Sequence, residues 1–170
     1  DIAALCVLDT QFTTDRIYRP IRKGFSFSLV EEAVPPQTKK HDFDPSKSSE
    51  RASWDFAAIA EDYGQVTAFI AAEHERWNNR INIRHLYVET ELRRRGIGGQ
   101  LLKELDLFAR SVEARSLWLE TQNTNYTAIQ FYLRAGFQFC GFDAGLYDPK
   151  AVPEGEVALF FERPLKATTK

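Results

Sequence analysis

Arg93-Arg94-Arg95-Gly96-Ile97-Gly98-Gly99 brings three cations and three glycines into one short run. Glycines let the backbone turn sharply and aim several N–H groups at one point. A helix start adds partial positive charge there, and the arginines add full charges. A pyrophosphate suits such a socket. The same residues also fit a solvated basic loop ahead of a glycine-softened helix. The run is neither a Walker A motif nor a dinucleotide fingerprint, since it lacks Lys-Ser/Thr after the last glycine and lacks the G-x-G-x-x-G spacing. His85 has a pKa range that suits a base at neutral pH, although a lone strand histidine equally serves structure. His41, His74 and His85 form no metal-ligand pattern, and Cys6 and Cys140 have no metal spacing, so no metal is expected. Cys140 lies in the apolar run Phe137-Gln138-Phe139-Cys140, which predicts a packed and inert thiol.

The elements that must position these residues can be read from periodicity. Phe25 to Val30 alternates apolar and polar residues, as a half-buried strand does. The stretch from Glu31 to Arg51 carries Pro35, Pro36 and Pro45 among serines and mixed charges, which predicts a loop. Trp54 to Ala60, Gln65 to Glu73 and Ile81 to Val88 then read as three strands. Asp62-Tyr63-Gly64 and Trp77-Asn78-Asn79 are the turns of an antiparallel meander. From Gly98 the period changes. Leu101, Leu102, Leu105, Phe108, Ala109 and Val112 recur at helical spacing to about Glu113. Ser116 to Leu119 is a short strand. Thr124 or Asn125 can cap a second helix bearing Ala128, Ile129, Tyr132 and Ala135, and Gly136 sits where a left-handed residue ends it. Phe137 to Phe142 and Val157 to Phe161 close the chain as strands. The order is that of an α/β (α+β) domain with a mixed, mostly antiparallel sheet flanked by helices.

Composition bounds the function. A chain of 170 residues suits one domain, taken here as 1–170 with a core over 54–161 and a less certain part over 1–50. The net charge of −2 provides no global basic field for nucleic acid. Ile2 to Leu8 is apolar but too short to span a bilayer and lacks a basic flank, so a cytoplasmic location is expected. The chain contains no Met, which suggests a processed or trimmed N-terminus.

Two blocks carry a family resemblance. Arg93-x-x-Gly96-x-Gly98 after a strand resembles the acetyl-coenzyme A signature of the GNAT superfamily. Asn125-x-x-Ala128-Ile129-x-x-Tyr132-x-Arg134-x-Gly136-Phe137 resembles the block that ends that fold's core. The resemblance covers about Trp54 to Phe161. A narrower one is carried by Ile83-x-His85-Leu86-x-Val88 and Leu119-Glu120-Thr121-Gln122-x-x-Asn125-x-x-Ala128, which is similar to streptothricin acetyltransferases. Arg84 departs from that pattern, which has an acidic residue there.

The resemblance implies a GNAT fold that uses acetyl-CoA as co-substrate and acetylates a primary amine. It implies that Arg93, Arg94, Arg95, Gly96, Ile97, Gly98 and Gly99 hold the pyrophosphate. Leu86, Tyr87 and Val88 would orient the thioester through their N–H groups. Tyr132 would protonate the departing sulfur, and Asn125 would both cap its helix and bond the coenzyme. Glu120, in the distinctive run, would recognise the ammonium or act as general base. His85 is the alternative base, with Glu89 and Asp143 behind it. Trp77, Trp118 and Tyr147 could line an acceptor pocket, although such aromatics are usually core. The partner expected is a small cationic amine such as streptothricin, with no nucleic acid and no membrane. A homodimer is left open. The rival readings are a peptide or protein N-acetyltransferase and a non-catalytic CoA-binding adaptor.

Overall fold

The computed structural model describes residues 5–6, 8–40 and 54–165. They fall into two compact units: the described residues through 11, Lys40, 54–119 and 163–165 in the first, and 12–39 with 120–162 in the second. The first unit is built on β3 (Phe56–Asp62), β4 (Gln65–Glu75) and β5 (Arg80–Val88), each antiparallel to the next. The β3–β4 link is a two-residue turn with Tyr63 at φ 47° and Gly64 at φ 78°. Paired positive φ values match the turn to the right-handed strand twist. Asn79, at φ 55°, closes the next turn.

The helix α1 (Ile97–Ser111) packs on β3, β4 and β5. Its Leu101, Leu102, Leu105 and Ala109 are buried at helical spacing, and its Phe108 stacks on Phe56 of β3 at 5.2 Å between ring centroids. A return turn then delivers β6 (Ser116–Gln122), which runs parallel to β5, so the sheet is mixed.

The second unit holds the hairpin of β1 (Gln11–Lys23) and β2 (Ser26–Lys40), the helix α2 (Tyr126–Arg134) and the antiparallel pair β7 (Gln138–Asp143) and β8 (Ala158–Pro164). β6 passes from one unit into the other after Leu119, and β8 crosses back after Glu162.

Three expectations need correction. β1 is absent from the sequence reading, and the predicted loop from Glu31 is strand as far as Lys40. The hairpin is a two-stranded ribbon. A ribbon's outer edge needs no ladder N–H and so tolerates a proline whose nitrogen faces outward, as one of the adjacent Pro35 and Pro36 must, and the ribbon's many charges stay in water. The rest of that predicted loop, 41–51, lies outside the described residues. Cys140 is exposed rather than packed, because alternation along β7 turns it away from the face where Phe139 meets Phe161.

Candidate active site

One irregularity in the first unit shapes the site. Along β4 and β5, Ala71 faces His85 but Ala72 faces Ile83, so Arg84 is the extra residue of a bulge. A bulge bends its strand and sharpens the twist. Accordingly, the parallel β5–β6 register runs only from Arg80↔Ser116 to Ile83↔Leu119. Past Ile83, β5 stays paired with β4 through Leu86↔Ile70, Tyr87↔Phe69 and Val88↔Ala68. No strand among the described residues pairs with its other edge there. The Glu89 N–H donates to Thr67 O at 2.9 Å. Strand alternation therefore turns the Tyr87 amide toward β4 and leaves those of Leu86 and Val88 directed to the open edge.

Beyond β5, Thr90–Leu92 form one tight turn and Arg94 takes a left-handed φ of 64°. Gly96 is the N-cap of α1, at φ 87°, with no side-chain cap. The first-turn amides of Ile97, Gly98 and Gly99 point outward without an intrahelical acceptor. A Cβ built on Gly96 or Gly99 meets nothing within 4 Å. This open, uncapped, positively polarised helix start fits the pyrophosphate of coenzyme A.

The three arginines divide. Arg94 and Arg95 are exposed and form no ion pair among the described residues. Arg93 is half-buried: Nε donates to Val88 O at 2.9 Å and Nη2 to Gln11 O at 2.5 Å. It braces the end of β5 against the N-terminal segment. The Asp9 carboxylate completes this clasp by accepting from the Gln11 N–H and the Thr90 hydroxyl, bonds that hold it below its ordinary pKa.

In the second unit, β6 alternates. Thr121 is buried, whereas Glu120 and Gln122 lie half-buried on the opposite face. Glu120 is the residue directly after the last β5–β6 pair. Its Oε1 accepts a short hydrogen bond from the Tyr147 hydroxyl, and that phenol, desolvated and beside a carboxylate, is held well above its ordinary pKa. The Gln122 Oε1 is buried and accepts no hydrogen bond among the described residues. Asn125 caps α2, its Oδ1 accepting from the Ala128 N–H at 3.2 Å. Tyr132 is buried on α2 and its ring meets Phe131 and Phe137 edge-on.

The remaining candidates have other surroundings. The His85 ring sits among Trp54, Phe69 and Tyr87. Glu89 accepts from the Asp9 N–H. Asp143 accepts from the Gly145 N–H and is exposed. Trp77 is 85% exposed, and Trp118 lies under the Arg80 guanidinium.

Sequence reasoning missed Asn123, which is 1% exposed. Its Nδ2 donates to Tyr18 O and Gly155 O, and its Oδ1 accepts from the Val157 N–H. It ties β1, α2's entry and the β7–β8 loop together, and only a folded chain brings those three segments to one side chain.

The profile of the Acetyltransferase (GNAT) family matches residues 22–137. The chain is 37% identical to a streptothricin acetyltransferase of Streptomyces lavendulae, over 96% of this chain and 90% of the other. Its structure resembles that of a nourseothricin acetyltransferase with a TM-score of 0.81 at 36% identity, covering 95% of this chain and 91% of that one. A Bacillus anthracis protein solved in complex with acetyl coenzyme A shares the fold, with a TM-score of 0.77 at 24% identity over 94% of this chain and 90% of that one.

Proposed function

This chain belongs to the GNAT acetyltransferase family, and from that premise we propose that it acetylates a primary amine of a small cationic acceptor, streptothricin being the foremost. It is an acetyl-CoA-dependent N-acetyltransferase. The observation that carries the reading is the loss of β5–β6 pairing after Ile83 and Leu119. An extended amide-bearing arm can pair with the exposed edge of β5 while its diphosphate rests on the start of α1.

Bound acetyl-CoA supplies an activated acetyl thioester. Transfer forms one N–C bond and breaks one C–S bond, while the amine loses a proton and the sulfur gains one. The amides of Ile97, Gly98 and Gly99, with Arg94 and Arg95, hold the diphosphate, and Arg93 acts mainly as the brace beneath them. The Leu86 and Val88 amides stand two residues apart on one strand edge, so one donates to the thioester oxygen, where negative charge grows, and the other pairs with the extended arm. Glu120 attracts the ammonium and draws its proton away. A lysine-like amine is mostly protonated at neutral pH, with a reference pKa of about 10.4, so this step is needed before attack. The Tyr132 phenol, with a reference pKa of about 10, gives its proton to sulfur. Asn125 holds the start of α2, which carries Tyr132.

We read 1–170 as one such domain acting in the cytoplasm. Among the described residues no helix is long and apolar enough to cross a membrane. Thiol release from acetyl-CoA tests the function. Streptothricin should release one thiol per acceptor amine modified, and peptides should release none. Release with peptides alone would favour a protein N-acetyltransferase, and coenzyme binding without release for any amine would favour an adaptor.

A further inference from the structure

Glu120 shares a short hydrogen bond with a second side chain. That side chain, Tyr147, comes from the loop between β7 and β8, far along the chain. That loop carries two local turns and is tied down at its far end. Asp143 accepts from the Gly145 N–H, and Asp148 accepts from the Lys150 N–H. At its far end Asn123 takes the Val157 N–H and donates to Gly155 O. Glu156, with its side chain only 7% exposed, pairs with Lys39 and accepts from the Thr124 hydroxyl. The segment is therefore an ordered arm, and it delivers one half-buried phenol to one half-buried carboxylate.

We propose that Tyr147 is a positioning residue that holds the Glu120 carboxylate ionised and aimed for the acceptor's ammonium, so that the β7–β8 loop sets the preference for cationic over neutral acceptors.

A phenol that donates to a carboxylate favours its charged form. Burial and the neighbouring negative charge both push the Tyr147 phenol upward, so it keeps its proton and remains a donor. The bond restrains the carboxylate through one of its acceptor positions. A carboxylate so held is an anchor for positive charge, and its effect falls on acceptor binding more than on bond-making. This rests on the reading of Glu120 given above, and the experiment separates the two.

Tyr147→Phe removes the hydroxyl and keeps the ring. The amine KM should rise about tenfold, the scale of one charge-assisted hydrogen bond, with kcat changed less than about twofold and the acetyl-CoA KM unaltered. Competitive inhibition by pentylamine and by its neutral isostere pentanol reads the charge preference directly. The advantage of the amine should shrink in Tyr147→Phe and vanish in Glu120→Gln. Adding Tyr147→Phe to Glu120→Gln should change nothing more, as two groups acting through one contact require. Glu120→Asp, which shortens the carboxylate away from the phenol, should reproduce the KM effect and stands in should Tyr147→Phe fail to fold. Wild-type KM and wild-type charge preference in Tyr147→Phe, or full additivity with Glu120→Gln, would overturn the inference while Glu120 kept its role. An undiminished charge preference in Glu120→Gln would remove that role and the inference with it.

Discussion

In the transfer proposed above, Tyr132 and Glu120 serve by different physics, and their variants should separate accordingly. A general acid contributes only when charge develops on sulfur, so with Tyr132 in that role Tyr132→Phe should lower kcat by a factor of about 10² to 10⁴ with little change in either KM. Undiminished thiol release would remove the acid assignment. A carboxylate that holds the amine acts before and during transfer, so with Glu120 in that role Glu120→Gln should raise the amine KM and lower kcat/KM. The exposed arginines act through space. Arg94→Ala with Arg95→Ala should weaken coenzyme A binding several-fold at low ionic strength and much less at about 1 M salt, where screening confines charge effects to about 3 Å. Equal losses at both salt levels, measured by calorimetry, would speak against that role. Arg93→Ala belongs to another class, because it unties Val88 and Gln11. It should lower thermal stability as well as coenzyme affinity.

At the level of elements, Asn123 and Asn125 are two asparagines two positions apart with different duties. Asn125→Ala loses one cap, which costs about 1 kcal/mol. Asn123→Ala strands the Val157 N–H and the carbonyls of Tyr18 and Gly155 in a buried place. Each orphaned group costs about 1–3 kcal/mol, so this variant should unfold at markedly lower denaturant than Asn125→Ala. Comparable midpoints would show that the clamp contributes little. The bulge at Arg84 is likewise an element-scale device. Replacing that side chain leaves an exposed backbone bulge in place, which explains why an arginine is tolerated where the related pattern has an acid.

For the molecule as a whole, ligand binding and stability are linked. Coenzyme A at about 100 times its Kd should add about 2.7 kcal/mol to the folded state. For a chain of this size that raises Tm by several degrees, at about 2–4 °C per kcal/mol. A melting curve unmoved by saturating coenzyme would contradict the site on α1. The same titration with Arg94→Ala/Arg95→Ala should need more ligand for an equal shift.

Local chemistry made much of this legible from sequence. The meander from β3 to β5 followed from alternating residues and two turn signals. Helix α1 followed from its leucine spacing and glycine start, α2 from the Asn125 cap and Gly136, and the order of elements with the two motif blocks pointed to the family. Those features depend on residues a few positions apart, where periodicity and capping act. What folding alone decided involves partners far apart in the chain. It placed the Arg93 guanidinium on the carbonyls of Val88 and Gln11, aimed the amides of Leu86 and Val88 but not that of Tyr87 at the open edge, and set Tyr147 on Glu120. It also made strands of β1 and of the proline-bearing half of β2, because a ribbon's edge forgives what a sheet's interior does not. A hydrogen bond between residues 27 positions apart leaves no periodic trace, so only the tertiary structure could bring that pair together.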